Sequence, residues 1–167
     1  MIHFRVGFLK TNSGKKGEGM PVVRNPQFYF KEGFCWSLIN GTRSENDLKF
    51  RLSTAGVYDV GGMSLHNIMD DIVSNKYIVC LGNSDLMSRY TESFVNFTVN
   101  FQINDARQIP IIIPSREQIN EFENLFDFAT KIKKEQLLNA ISEIESDTKL
   151  AEIQNVLNKI TRKLYRF

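Results

Sequence analysis

Asp47-Leu48-Lys49 has the acidic-x-Lys form of half a metal-dependent nuclease motif, in which a second, upstream carboxylate completes a magnesium site. No Pro-Asp precedes it, and Asp70-Asp71 follows at the wrong place, so surface charge is the expected role. Cys35 and Cys80 each sit inside an apolar stretch, Phe34–Trp36 and Ile78–Leu81, and read as reduced thiols of the core. His3 and His66 lie at ligand spacing from neither a second histidine nor a cysteine, which argues against a zinc site. The chain has no Walker loop, dinucleotide fingerprint or nucleophile elbow, and Gly14–Gly19 and Gly61-Gly62 lack the strand-and-helix setting that cradles phosphate. The expectation is a non-catalytic chain that carries neither metal nor cofactor of its own.

Charge points to a class of partner instead. The 167 residues carry a net charge of +2, unevenly spread. Residues 1–51 hold nine Lys/Arg against four Asp/Glu, residues 52–130 four against ten, and residues 131–167 eight against five. Basic charge at the front and the tail suits an anionic partner, although solvated surface charge has the same appearance. With 42% hydrophobic and 24% charged residues the composition is that of a globular protein. No apolar run reaches the roughly 18–20 residues of a membrane span. Met1–Lys10 lacks the charged start and long apolar stretch of a secretion signal, so a cytoplasmic location is expected.

The elements that must position these groups change character along the chain. Residues 1–9 read as a strand and Thr11–Gly19 as a Gly- and Lys-rich loop. Gln27–Lys31, Gly33–Ile39, Lys49–Leu52 and Gly56–Val60 read as short strands, separated by turn signals at Asn40-Gly41 and Gly61-Gly62. Tyr77–Leu81 reads as a buried strand, Ser84 as the cap of a short helix from Asp85 to about Thr91, and Val95–Ile103 as an alternating strand. After Pro114 the apolar period lengthens: Ile119, Phe122, Leu125, Phe126, Ala129 and Ile132 mark one helical face, opened by a Ser115/Gln118 capping box. Ile141, Ile144, Ile153, Val156, Leu157, Ile160 and Leu164 continue the stripe, with a break expected at Ser146-Asp147-Thr148. The predicted fold is α+β: a sheet-rich module over 1–114, then a helical extension of one or two helices over 115–167. The extension would pack on the module or on a partner, and its spacing permits a dimer.

Several segments, taken in order, carry a resemblance. Asn25-Pro26-Gln27-Phe28 is similar to the Asn-Pro-Pro-Tyr/Phe tetrapeptide of amino-methyltransferases, but lacks the second proline and a preceding cofactor-binding unit, so it reads as a turn into a strand. Arg24–Phe30 and Phe30-Lys31-Glu32-Gly33-Phe34-Cys35-Trp36-Ser37 resemble the Phe-x-Glu-Gly-hydrophobic-Thr-Trp segment and its lead-in of specificity domains in combined restriction–modification enzymes. Those enzymes are type IIG proteins and related BREX-type adenine methylases. Gly56-Val57-Tyr58-Asp59-Val60-Gly61-Gly62 resembles their Gly-x-hydrophobic-Phe-Asp-x-Gly-Gly run, and Leu81-Gly82-Asn83-Ser84 falls where they have Leu-Leu-Asn-Ser. Asn100-Phe101-Gln102-Ile103-Asn104-Asp105, with Ile109-Pro110-Ile111 after it, resembles their Asn-hydrophobic-Gln-x-x-Asp and hydrophobic-Pro-hydrophobic segments. The likeness spans about residues 21–135; Gly82 replaces a leucine, and no methylase domain lies upstream in this sequence.

What the resemblance implies is a target recognition domain that reads duplex DNA. A separate adenine methylase or endonuclease domain would do the chemistry, with S-adenosylmethionine bound only on that partner. Base edges would be read by Asn40, Arg43, Lys49 and Arg51 around the Asn40–Asp47 loop, and phosphates met by Lys15, Lys16 and Arg24. Trp36 reads as core rather than as a stacking residue, and Asn100 and Gln102 as structural amides. Two other classes compete: a small protein-interaction module using the C-terminal helices without DNA, and a minimal nuclease using Asp47 and Lys49.

Overall fold

The protein, described by a computed structural model over residues 26–37, 48–53, 55–57, 62–66, 71–96, 98 and 100–166, has an α+β fold. Three short strands, β1 (Gly33–Ser37), β2 (Arg51–Ser53) and β3 (Gly62–Leu65), form an antiparallel sheet in the order β2-β1-β3. Phe34 stands opposite Leu52 on one side and Leu65 on the other, and Trp36 opposite Met63. Side chains alternate across a strand, so Phe34 and Trp36 share one face, and both are buried. Phe50 and Phe101 meet them there. The Trp36 and Phe50 rings are stacked at 5.3 Å, and Phe101 meets the Trp36 ring edge-on at 5.7 Å. Trp36 spends its one polar atom inside the core, donating from Nε1 to the Phe101 carbonyl at 2.9 Å. A tight contact selects Gly33 at the start of β1: a Cβ there would meet the Leu65 carbonyl oxygen at 2.2 Å.

Helices α1 (Asn75–Gly82), α2 (Asp85–Tyr90), α3 (Ile103–Ala106), α4 (Arg116–Leu137) and α5 (Glu143–Tyr165) complete the fold. The residues expected as a strand at Tyr77–Leu81 are helical, and all five are buried. An apolar run this short looks the same in either state when every side of it is covered. Ser74 decides the matter locally by accepting from the Tyr77 N–H at 3.2 Å as a helix N-cap. The expected strand over Gln27–Lys31 begins instead with a 3₁₀ turn at Pro26–Phe28. Helix α2 starts at Asp85 behind Ser84, and α4 behind the Ser115/Gln118 capping box, as their sequences predict. The break between the two long helices falls at Leu138–Ser142, not at Ser146–Thr148. Asn139 takes a left-handed φ of 56° there, and Ser142 caps α5. Ser146 lies buried inside α5, its Oγ donating to Gln136 of α4 at 2.9 Å. Helix α4 packs on α1, where the Tyr77 and Phe122 rings meet edge-on at 5.0 Å, and Leu157 of α5 joins the same buried cluster.

Among the described residues of the expected strand Val95–Ile103, Val95 closes a π-turn, Asn100 makes an isolated bridge and Ile103 opens α3. The π-turn occupies Thr91–Val95, and side chains cross-link the described residues that follow it. Asn96 Nδ2 donates to the Asn100 carbonyl at 2.8 Å and to Asp105 Oδ2 at 2.7 Å, while the Gln102 N–H donates to the same carboxylate at 2.8 Å. Phe101, fully buried, is the anchor of this loop. The apolar run Pro110–Pro114 belongs to no helix or strand. Its carbonyls are held by tyrosines from two helices: Tyr77 donates to Ile112 at 2.8 Å, and Tyr165 donates to Pro110.

These buried ionisable groups give the fold a base-labile side. Burial pushes the Cys80 thiol from its ordinary 9.0 up to about 12, with the Asp127 carboxylate adding to the effect and Lys76 opposing it. Burial also raises the Tyr77 phenol, with Tyr165 contributing. A raised acid pKa means that the fold favours the neutral form. The stabilisation is therefore complete below about pH 9 and is lost as pH climbs toward 12, at about 1.4 kcal/mol per pH unit for one group. Urea unfolding followed from pH 8 to pH 11 is expected to show this decline, and Cys80→Ala to make it shallower by one proton. An unchanged slope in that variant would rule out the thiol as a source.

Candidate nucleic-acid interface

The end of α5 is a run of one charge. From Asn155 to Phe167 the sequence has four cations, Lys159, Arg162, Lys163 and Arg166, and no carboxylate. Their spacing of three and four residues places them along one side of the helix, while Leu157 and Thr161 turn inward and are buried. Helix α2 lies alongside and contributes Arg89. Together they line an open groove of about 800 Å³, with Asn155 and Asn158 on its wall and Asp85 at its root. All five cations are exposed. Such a groove attracts anions.

What holds the groove in shape is a polar chain reaching back to the sheet. Asn83, in the α1–α2 turn, brackets the Phe50 backbone: its Oδ1 accepts from the Phe50 N–H at 2.7 Å and its Nδ2 donates to the Phe50 carbonyl at 2.8 Å. The Asn83 carbonyl accepts from Gln154 Nε2 at 3.0 Å, which also donates to Asn158 Oδ1 at 3.0 Å. Asn158 Oδ1 in turn accepts the Asp85 N–H at 3.0 Å. Asp85 is only 3% exposed; one of its oxygens accepts from Arg162, and the other, Oδ1, has no partner. Ser84 completes the turn by donating to the Leu81 carbonyl at 2.7 Å and capping α2. Gly82-Asn83-Ser84 thus explains itself structurally, as the clamp between β2's lead-in and the groove.

Of the residues expected to contact DNA, Lys49 and Arg51 belong to the described structure. Lys49 is exposed between buried Leu48 and Phe50, with a left-handed φ of 47°. That conformation is strained for a lysine. Arg51 is exposed on β2, an edge strand, and donates to Ser37 Oγ at 3.0 Å. The Asn83 bracket on Phe50 connects this pair to the groove wall. Asn40, Arg43, Lys15, Lys16 and Arg24 lie outside the described residues, as do Asp47 and the expected strand over residues 1–9. The exposed Asn100 contributes a carbonyl, and Gln102 an N–H, to the loop described above. The α5 cations are absent from the sequence expectation, although their three- and four-residue spacing beside the apolar stripe of the same helix is a signal for them. Arg89 and Asp85 join them only through the fold, since Asp85 and Arg162 are 77 residues apart.

Among the described residues no group of three or more His, Cys, Asp or Glu side chains could hold a metal ion, and no helix is long and apolar enough to cross a membrane. No protein-family model matches the chain, and no curated protein matches it.

Proposed function

We propose that this chain is the DNA sequence-recognition module of a restriction–modification system, binding duplex DNA and positioning it for a separate adenine methylase or endonuclease domain. The observation that carries the reading is the groove at α2 and α5, where five exposed cations share one surface. Resemblance of the segments between residues 21 and 135 to specificity domains supports the same assignment. In this reading the groove tracks phosphates and sets the register of the module on the duplex. Lys49 and Arg51, with Asn40 and Arg43, supply the base contacts. Bond chemistry and S-adenosylmethionine belong to the partner.

Salt dependence provides the test. Binding of a short duplex, followed by fluorescence anisotropy at several salt concentrations, is expected to weaken steeply as salt rises. Lys159→Ala with Lys163→Ala should lower the log–log salt slope by about 2, because each lost phosphate contact removes about 0.9. The effect should be the same for every duplex sequence. Arg51→Ala is expected to change site preference rather than slope. Absence of any duplex binding at low salt overturns the assignment.

One observation favours a second reading. Leu137, Leu138 and Ile144, at the turn between α4 and α5, are 79%, 79% and 81% exposed. Three large aliphatic side chains at the tip of a helical pair suit self-association, with or without DNA. Sedimentation of wild type against Leu138→Glu distinguishes the two: a dimer lost in the variant, together with no duplex binding, selects the interaction module.

A further inference from the structure

Directly after Arg89 the helix changes pitch. Residues Thr91–Val95 form a single π-turn, closed by the Asn96 N–H on the Thr91 carbonyl at 2.8 Å. The wider turn brings residues four and five apart onto one side, and such turns interrupt helices mostly where a side chain must be presented. Here the ring of Phe94 lies against that of Tyr90, with centroids 5.5 Å apart and planes inclined by 36°. Phe94 is nevertheless 77% exposed, whereas Thr91 at the base of the same turn is completely buried. A large apolar ring is therefore held in solvent on an ordered root.

A single exposed phenylalanine is unremarkable on most surfaces. This one extends the helical run that walls the cationic groove, one turn beyond Arg89. Cations in a groove and an open aromatic face one turn farther along its wall helix match the two halves of a nucleotide, the phosphate and the flat base. We propose that Phe94, backed by Tyr90, is a stacking surface for an unpaired nucleobase whose adjoining phosphates lie in the groove. The proposal rests on the groove being a DNA phosphate track, and it narrows the partner. The preferred ligand is DNA with a base out of the stack at this point, not an uninterrupted duplex. A base inside an intact helix has no open face to offer, so the ring gains nothing there.

Three labelled probes separate the possibilities: an intact duplex, the same duplex with one unpaired base, and the single strand. Wild type is expected to bind the duplex with the unpaired base at least about fivefold more tightly than the intact one. Phe94→Ala should remove that preference, weakening this probe and the single strand by about five- to 100-fold. The intact duplex and its salt slope should be unaffected. Phe94→Trp should keep the preference, and because the ring is exposed both variants should melt with wild type. If Phe94→Ala binds all three probes as wild type does while Lys159→Ala with Lys163→Ala weakens them, the groove stands and the stacking surface falls. If Phe94→Ala weakens all three alike, the ring makes some other contact and the proposal is likewise overturned. Failure of wild type to bind any probe removes both assignments.

Discussion

Gly82→Leu is expected to prevent folding, and Gly82→Ala to destabilise the protein by about 1–3 kcal/mol, the ordinary cost of forcing extra carbon into a packed core. On helix propensity alone the sign would be opposite, since alanine is favoured over glycine inside a helix by about 1 kcal/mol. Packing decides it. A Cβ on residue 82 would lie 2.2 Å from Phe50 Cδ2 and 2.6 Å from Cε2, far inside van der Waals contact. The ring has nowhere to retreat, because it stacks on Trp36 at 5.3 Å and on Phe34 at 5.7 Å. Nor can its backbone slide, being bracketed by both polar atoms of Asn83. This accounts for the glycine where the resembled segment has leucine: Phe50 fills the space that a leucine side chain would need. Urea denaturation of a double-mutant cycle tests the explanation. Phe50→Leu should be destabilising by itself but should recover part of the loss when combined with Gly82→Ala. A Gly82→Ala protein as stable as wild type would show that the ring and the helix are not in contact.

Local signals in the sequence were good guides wherever one side chain settles a helix end. Ser84, Ser115 and Gln118 cap as their positions predict, because a cap needs only residues within one turn. Of the expected strand Gly33–Ile39, the described part, Gly33–Ser37, is a strand, with Phe34 and Trp36 inward and Cys35 and Ser37 half-buried. Tyr77–Leu81 was illegible for the opposite reason: buried on every side, it has no polar face to reveal a period. Val95–Ile103 misleads because alternation does not reveal that the Asn100 carbonyl and the Gln102 N–H are met by nearby side chains, Asn96 and Asp105. Ser146-Asp147-Thr148 looked like a break by residue type alone. In the fold Ser146 bonds across to Gln136 and Thr148 Oγ1 back to the Ile144 carbonyl, so two helix-breaking hydroxyls are absorbed within α5.

The candidate site shows the same division. Four of its cations are contiguous on one helix and were open to reading as a stripe; the fifth arrives from α2. The resembled motif and the groove had no evident connection in sequence, yet Asn83 links them. Its side chain holds Phe50 and its carbonyl accepts from Gln154, which also donates to Asn158, the acceptor of the Asp85 N–H. A residue conspicuous as part of a motif is thereby a mechanical element, and the surface it orients is carried by residues that no motif marks.

Arg162 pairs with Asp85 and, in the proposed reading, also meets phosphate; separating the two roles yields the other large effect. Removing its guanidinium by Arg162→Ala is expected to cost about 2–3 kcal/mol. The change leaves the Asp85 carboxylate, 3% exposed, without the cation it faces. Stripping one partner from a fully buried ion pair costs about 3–5 kcal/mol. Arg162 is itself 46% exposed, so water admitted by the truncation softens the loss. Asp85→Asn should be milder, since the amide oxygen still accepts from Arg162 and the arginine end is reached by solvent. Combining Asp85→Asn with Arg162→Ala should therefore be less destabilising than Arg162→Ala alone, a coupling that simple lost packing does not produce. Binding separates the second duty. In the double variant, refolded and stable, the duplex salt slope should still fall by about 1 for the missing phosphate contact. If stability returns and the slope does not change, Arg162 serves only Asp85, and the proposed phosphate track is confined to Arg89, Lys159, Lys163 and Arg166.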